Sequence, residues 1–499
     1  MHTTTTPNRM GNMNVVLVIC AVLFFGVLNA SGVTVILPEM SAAFSVNAGQ
    51  LSWIMSGYLL TYGIAIPFYG RLADKFGARS LFLLGIVLFS VGSIACLVAP
   101  SFETLLAARV LQALGGAAFP GLGMAIASRA FLPEKRGIIL GAISATVGIG
   151  SAVGPLVAGV ITDLLHWRAL FGLSAMVILV LPFAWKTLPR DDERSDDPID
   201  FIGGTFMALG ITGLLYAVSQ SSQTGWTDPT VLAALAISAV GLVGLVLRQR
   251  TADAPFVANE LVNNVRYLRL ITLTFLIAAV NLATLIGFPL MLAAHNGLDT
   301  LQIGLVMLPG AIATAVCGLL AGRLVDRVGP RLPTRLGGGI MLGTMIAFSL
   351  LSGGSVATMA ILAGLLGGSF ALLNTPIAAI VSVMVRPAIM ASALSINTMM
   401  FFIGGSMGAA LFSSIVTTNA GALSAWSPFY TGSAINYSDA FTLLAAVMVL
   451  ALMLVVPLPS KKMVDAEKAK EDEQANWVPD CAMPWNTELD NESAETARV

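Results

Sequence analysis

Charged residues are scarce in this sequence. Only 11% of its 499 residues are Asp, Glu, Lys or Arg, whereas 56% are apolar. An ordinary soluble domain carries roughly 25% charged residues, so a water-soluble fold of this composition could not cover its own surface. The composition indicates an integral membrane protein, and the length allows over a dozen spans of about 20 residues each.

Residues for metal, redox and catalytic chemistry are also few. The four cysteines show no metal or redox spacing, and none of the three histidines has a second histidine at ligand distance. The sequence holds no cluster of nucleophiles and acids at one depth and no G-x-x-x-x-G-K-[ST] phosphate loop. We therefore expect no enzyme, no metal and no cofactor. The expected partners are a small-molecule substrate and the lipid bilayer, and no nucleic acid is expected. We expect the protein to be a monomer.

Long apolar runs are abundant, and they predict an all-α protein. The first run is longer than a signal-peptide core of about 7–15 residues, which favours a transmembrane helix. Fourteen such helices are predicted, at 14–37, 52–69, 80–99, 104–128, 137–162, 168–185, 202–220, 230–247, 269–293, 302–322, 335–353, 356–384, 391–416 and 440–457.

The basic residues alternate between the predicted loops. With a cytoplasmic N-terminus, the outer loops hold Arg168 alone. The inner loops hold Arg71, Lys75, Arg79, Arg129, Lys135, Arg136, Lys186, Arg190, Arg194, Arg248, Arg250, Arg266, Arg269, Arg323, Arg327, Arg331, Arg335 and Arg386. Cytoplasmic loops carry an excess of Lys and Arg, so we expect a multi-pass cell-membrane protein with both termini in the cytoplasm.

One charged block occurs twice. "GRLADKFGAR" at 70–79 returns as "GRLVDRVGPR" at 322–331, after helices 2 and 10. The matching positions are Gly70/Gly322, Arg71/Arg323, Asp74/Asp326, Gly77/Gly329 and Arg79/Arg331. Removing helices 7 and 8 leaves two six-helix units with the block at the same place, which indicates a parallel duplication.

The repeat predicts the domain organisation. We expect a six-helix bundle at 1–190, a linker with two additional helices at 191–260, a second six-helix bundle at 261–460 and a disordered cytosolic tail at 461–499.

The two blocks suggest a gate. Their glycines allow tight turns and close approach of helix ends. Asp74 could meet a helix N-terminus or an arginine of the opposite half, and such contacts could hold the cytoplasmic side closed. The alternative is a basic turn that sets topology only.

Several stretches resemble a known family. The two blocks resemble the signature loop of the major facilitator superfamily. "RVLQALGGA" at 109–117, "GAISATVGIGSAVGPLVAG" at 141–159 and "VLNASGVTVILPEM" at 27–40 resemble motifs of its fourteen-helix drug/proton antiporter branch, and the Gram-positive tetracycline/proton antiporters in particular. The resemblance implies two six-helix bundles plus two extra central helices. It also implies export of hydrophobic or amphiphilic molecules, as in multidrug resistance, by alternating access and proton antiport.

The helix-5 motif supplies small residues. Gly141, Gly150, Gly154 and Gly159 would let another helix approach closely, and Pro155 could bend helix 5. We expect this surface to be a sliding contact between the two halves, with plain tight packing as the alternative.

Polar residues inside the spans are the candidate transport site. Arg109 is the only charged residue placed inside a span; it could snorkel outward, or it could lie near the substrate or proton route with Gln112 one turn later. Asn29 and Asn374 lie on helices that, by the resemblance, line the cavity. Tyr58 is interpreted as an interfacial anchor.

No Asp or Glu lies inside a predicted span. The resemblance would place acidic groups at the positions of Asn29, Ala30 and Ser151. Proton antiport normally needs a titratable group in the membrane. An uncoupled facilitator, or a lipid or metabolite exporter of the same fold, therefore stands beside the proton-driven efflux pump.

Overall fold

The computed structural model describes residues 13–46, 48–190, 198–298, 300–419 and 424–455. Every long regular element in these ranges is a helix. They are α1 Met13–Phe44, α2 Ala48–Phe76, α3 Ala78–Leu97, α4 Phe102–Ala130, α5 Pro133–Leu164, α6 Ala169–Thr187, α7 Phe201–Thr224, α8 Pro229–Thr251, α9 Val265–Asn296, α10 Thr300–Val328, α11 Arg331–Leu351, α12 Val356–Met384, α13 Met390–Thr418 and α14 Ile435–Val455.

The helices agree with the predicted spans. Thirteen helices in the described ranges are long and apolar enough to cross a membrane, and α2 is the remaining member of the predicted fourteen. The all-α membrane fold is therefore confirmed. The predicted tail and most of the linker that precedes α7 lie outside the described residues.

Helix ends follow local chemistry. Ser101 and Thr104 form a capping box at the start of α4, and Asp228 caps α8 through the backbone N–H of Thr230. Two helices are interrupted in their regular hydrogen bonding: α4 has a turn at Ala117–Ala118, just before Pro120, and α6 contains a 3₁₀ turn at Met176–Val180.

The repeated blocks were predicted as loops, and this prediction was wrong for most of their length. The helices continue through them to Phe76 and Val328. A helix does not have to end at the edge of the bilayer core, because charged residues can occupy further helical turns in the polar region outside it. The chain turns only at Gly77 and Gly329, whose φ angles are 99° and 87°. A positive φ is readily adopted by glycine alone, so these two glycines make the turn.

The helix packing shows the duplication. In the N-terminal half, α1–α6, helix α1 packs on α5, α2 on α4, and α3 on α4 and α6. In the C-terminal half, α9–α14, the same pairs recur as α9 on α13, α10 on α12, and α11 on α12 and α14. Helices α7 and α8 form a hairpin, and α7 packs against both α2 and α13. The domain limits given above stay a prediction.

Candidate functional site

The two halves meet along two seams. The first seam pairs α2 with α13, and the second pairs α5 with α10. The repeated blocks lie at one end of these seams, which we call the basic end.

At the first seam, a carboxylate of one half meets a helix start of the other. Asp74 on α2 is completely buried. Its two oxygens accept hydrogen bonds of 3.1 Å each from the backbone N–H groups of Ala391 and Ser392, in the first turn of α13. A helix N-terminus presents unpaired N–H groups and a partial positive charge, so a carboxylate is stabilised there.

An arginine of the same half completes this contact. Arg129, at the end of α4, lies 3.6 Å from a carboxylate oxygen of Asp74. Arg129 also donates to the carbonyl oxygen of Pro387, in the other half. Asp74 was expected to contact either a helix N-terminus or an arginine of the opposite half. It contacts a helix N-terminus of the opposite half, whereas its arginine neighbour belongs to its own half.

The second seam repeats the arrangement with the halves exchanged. Asp326 on α10 accepts hydrogen bonds from the backbone N–H groups of Gly137 (3.1 Å) and Ile138 (3.0 Å) in the first turns of α5. Asp326 is half-buried, unlike Asp74. Each half therefore supplies a carboxylate to the other half's helix.

The first glycine of each block allows the seams to close. A methyl group added at Gly70 would lie 2.7 Å from Cβ of Ser395, and one added at Gly322 would lie 2.4 Å from the carbonyl oxygen of Gly137. Such separations are shorter than van der Waals contact, so a larger residue would hold the halves apart.

The block arginines differ in placement. Arg71 is buried and donates to the carbonyl oxygen of Pro198 (3.3 Å), just before α7. Arg79 donates to the carbonyl oxygen of Trp185 and lies over its ring. Arg323 is exposed, and Arg331 begins α11.

The expected single sliding face of α5 was wrong. Gly141 faces the carbonyl oxygen of Gly318 on α10, but Gly150 and Gly154 face Val27 and Ser31 on α1, within the N-terminal half. The reason is helical geometry: nine residues at 100° per residue place Gly150 half a turn away from Gly141.

The close glycine contacts of the second seam lie in the part of α5 nearer the basic end. Gly159 lies eighteen residues after Gly141, which is five full turns, so both occupy one face of α5. A methyl group at Gly141 would lie 2.4 Å from Gly318, whereas one at Gly159 would meet nothing within 4 Å. Pro155, one turn before Gly159, lies inside α5 and leaves one backbone hydrogen bond unmade.

Arg109 is the centre of a buried polar network. It has no exposed surface, so the snorkelling alternative is wrong. Its Nη1 donates to Oδ1 of Asn29 (2.9 Å) and to Oε1 of Gln112 (2.6 Å). Asn29 in turn donates to Ser174 on α6, and Gln112 donates to Ser93 on α3. The network thus joins α1, α3, α4 and α6 through neutral groups around one positive charge.

An aromatic ring also holds Arg109. The guanidinium carbon lies 4.1 Å from the ring centroid of Tyr58, which is 3% exposed. The interpretation of Tyr58 as an interfacial anchor was wrong, because its ring offers a buried cation a π face. The hydropathy pattern gave no signal that Tyr58 contacts Arg109, which lies 51 residues later in the sequence.

Asn374 does not join this network. It is half-buried on α12 in the other half. The polar contact near it is from Thr375 to Ser144 of α5 (3.2 Å), a pair that crosses between the halves and that sequence reasoning missed. Sequence reasoning also missed Gly137 and Ile138, whose only signal was their position at the start of α5.

A family model described as "Major Facilitator Superfamily" matches residues 19–409. Among curated proteins, the chain is 33% identical to the uncharacterized MFS-type transporter YhcA of Bacillus subtilis over 66% of the chain and 62% of that protein. It is 30% identical to the multidrug resistance protein Stp of Mycobacterium tuberculosis over 79% of the chain and 74% of that protein.

A solved structure shares the fold. The proton:xylose symporter XylE, bound to 6-bromo-6-deoxy-D-glucose, superposes with a TM-score of 0.65 at 14% identity, over 91% of this chain and 98% of that chain. At this identity the likeness supports the fold alone.

Proposed function

The chain belongs to the major facilitator superfamily and is a transporter rather than an enzyme, and we propose that it exports hydrophobic or amphiphilic small molecules from the cell by alternating access. In this proposal the basic end is cytoplasmic, as the excess of arginine and lysine in its loops favours. The likeness to a multidrug resistance protein supports the direction and the type of substrate.

One observation supports the alternating-access mechanism above all others. Asp74 and Asp326 bind crosswise to the helix starts of the opposite halves, whereas a methyl group at Gly159, nearer the other end of α5, would meet nothing within 4 Å. We infer from this a transporter that is closed to the cytoplasm and open to the outside. Return to the inward-open state requires both carboxylates to leave their helix N-termini, so these contacts act as the cytoplasmic gate.

We propose the Arg109 network as the polar part of the substrate and coupling route. A buried positive charge with only neutral partners is costly, so it is poised to respond to charge or polarity brought by a substrate. Tyr58 stacks on Tyr62, whose ring lies 5.0 Å from that of Phe402 in the other half. These rings connect Arg109 to the space between the halves, where Asn374 would contribute from α12.

The proposed energy source is the proton gradient, with no cofactor. A second candidate is an uncoupled exporter of the same fold. It is favoured by one observation: the group that faces Arg109 from α1 is the amide of Asn29, not a carboxylate.

Inverted membrane vesicles with an imposed pH gradient distinguish the proton-coupled exporter from the uncoupled exporter. Tetracycline, ethidium, a neutral phenicol and a fatty acid are added in turn while a pH-sensitive dye reports proton movement. We expect one compound to release protons in wild-type vesicles. Arg109→Gln should reduce this release at least about tenfold, because the variant leaves Asn29 and Gln112 without their charged donor.

The matched control is Arg250→Gln, which removes an exposed arginine at the end of α8 and should behave as wild type. Uptake of a labelled compound that persists without a gradient, with no proton release, would support the uncoupled exporter. Equal activity of both arginine variants would remove Arg109 from the mechanism.

A further inference from the structure

A groove opens between α1 and α6, away from the seams. It has a volume of about 480 Å³. Its walls are Asn14, Leu17, Val18, Ala21 and Phe25 on α1, and Met176, Leu179, Val180, Phe183 and Thr187 on α6. The volume falls within the roughly 300–1,000 Å³ of small-molecule sites. Because Leu17, Leu179 and Phe183 are each more than 60% exposed, the groove opens to the surroundings of the bundle.

The local sequence explains why the two helices part here. Ala21 contributes only a methyl group to the middle of the α1 wall. On α6, the 3₁₀ turn Met176–Val180 stacks residues three apart on one side, so Met176 and Leu179 point into the same wall. The α1 residues recur at spacings of three and four, which places them on one face of that helix.

The groove has the length and polarity of one lipid leaflet. From Asn14 to Phe25 the helix rises about 16 Å at 1.5 Å per residue. Half of a hydrocarbon core of about 30 Å is about 15 Å. The two polar wall residues, Asn14 and Thr187, lie together at the basic end, and the other eight are apolar.

Basic side chains and a tryptophan surround the polar end. Lys186 and Arg190 are exposed, directly before and three residues after Thr187. Trp185 is 64% exposed, and Arg79 holds it through its carbonyl oxygen and its ring. Tryptophan is favoured at headgroup level, and basic pockets between helices on the cytoplasmic side bind anionic headgroups.

We propose that this groove binds one anionic phospholipid of the leaflet at the basic end, which is the cytoplasmic leaflet in the orientation proposed above. One acyl chain lies along Ala21 between α1 and α6, and the headgroup phosphate contacts Lys186. The site belongs to the N-terminal half alone, so it does not depend on the transport cycle or on the identity of the transported molecule.

Native mass spectrometry of the purified full-length protein tests the proposal. The protein is titrated with palmitoyl-oleoyl phosphatidylglycerol or with the phosphatidylcholine that has the same acyl chains; the first headgroup is anionic and the second is zwitterionic. We expect one phosphatidylglycerol to bind more tightly than any phosphatidylcholine. Ala21→Trp should weaken its binding at least tenfold by filling the groove, whereas Ala239→Trp, on the exposed face of α8, should leave it unchanged.

Lys186→Gln tests the headgroup contact. A basic residue near an anionic headgroup contributes about 1 kcal/mol, so phosphatidylglycerol should bind about fivefold more weakly while phosphatidylcholine is unaffected. Lys135→Gln, an exposed lysine at the start of α5, is the matched control and should have no effect. If Ala21→Trp does not fold, Leu179→Trp replaces it. Leu179→Trp narrows the groove from the opposite wall and should also weaken phosphatidylglycerol binding at least tenfold.

Equal lipid retention by the groove-filling variants and Ala239→Trp would overturn the proposal, since the lipid would then bind elsewhere. Equal affinity of the wild type for both lipids, or equal effects of the two lysine variants, would also overturn it, because the anionic headgroup would play no part.

Discussion

The two seams close the basic end by different means. At the first seam, the completely buried Asp74 has Arg129 beside it, and α7 packs over both helices. At the second seam, Asp326 is half-buried, and the helices touch through their backbones at Gly141 and Gly322. The repeated block thus supplies the same carboxylate and a closely packed glycine to both seams, but the carboxylate is more deeply buried at the first seam and the glycine contact is closer at the second.

This difference indicates which changes each seam tolerates. A buried carboxylate that accepts two backbone N–H bonds beside an arginine is sensitive to loss of charge, because all of these donors bind a charged acceptor more strongly than a neutral one. A close backbone contact is sensitive to added volume, because neither backbone can move aside. Cysteine pairs beside each seam report on it separately in a background without the native cysteines. Gly121→Cys on α4 with Ser395→Cys on α13 joins the halves beside the first seam, and Ser144→Cys on α5 with Thr375→Cys on α12 joins them beside the second. A Cβ added at Gly121 would lie 3.3 Å from Cβ of Ser395, and the hydroxyl oxygens of Ser144 and Thr375 lie 3.2 Å apart, so both pairs are close enough to test by cross-linking.

The largest effect should follow from volume at the second seam. Gly141→Leu should reduce the cross-linking of the 144/375 pair about a hundredfold or more, since even its Cβ would lie 2.4 Å from a backbone oxygen. Gly159→Leu is the matched control on the same face of α5 and should cross-link like wild type. If the two variants cross-link equally, the steric account of the second seam fails.

Loss of charge at the first seam should have the next largest effect. Asp74→Asn removes the charge that binds Ala391, Ser392 and Arg129, and should lower cross-linking of the 121/395 pair about tenfold and impair transport. The protein level in the membrane, measured by immunoblot, should stay unchanged. Wild-type cross-linking and transport by Asp74→Asn would contradict the proposed gate.

The same change at the second seam should have the smallest effect. Asp326→Asn should lower cross-linking of the 144/375 pair only about threefold, because water screens a half-buried carboxylate and the glycine contacts remain. The comparison is made under identical oxidation conditions with the Asp74→Asn variant. An effect at Asp326 as large as at Asp74 would show that the two seams are equivalent.

Much of the fold could be predicted from the sequence. Long apolar runs mark the spans. The loop charges alternate because basic loops stay on the cytoplasmic side during insertion into the membrane. The positions of the helices therefore follow from local properties of the sequence. The expectation that Asp74 meets a helix N-terminus of the other half rested on the repeat. The start of α13 that receives it could be identified only after packing placed α2 against α13.

The predictions that were wrong concern the rotation of helices about their axes and contacts between residues far apart in the sequence. The prediction of one small-residue surface on helix 5 was wrong, because the nine-residue spacing of Gly141 and Gly150 places them on opposite faces of the helix. Tyr58 looked like an anchor because the partner of its ring, Arg109, lies on another helix. The position of α7 over the first seam has no local signal at all, since it depends on how two halves and an insertion pack together.

The crossed carboxylates at the basic end have an electrical consequence. In the outward-open state proposed here, water in the open end would carry the potential of the outer solution into the protein, and the membrane voltage would then fall mainly across the closed layer that holds Asp74, Arg129 and Asp326. One elementary charge displaced across 100 mV corresponds to about 2.3 kcal/mol. Opening of this layer, which moves these charges, is therefore a step whose rate the membrane potential can set directly.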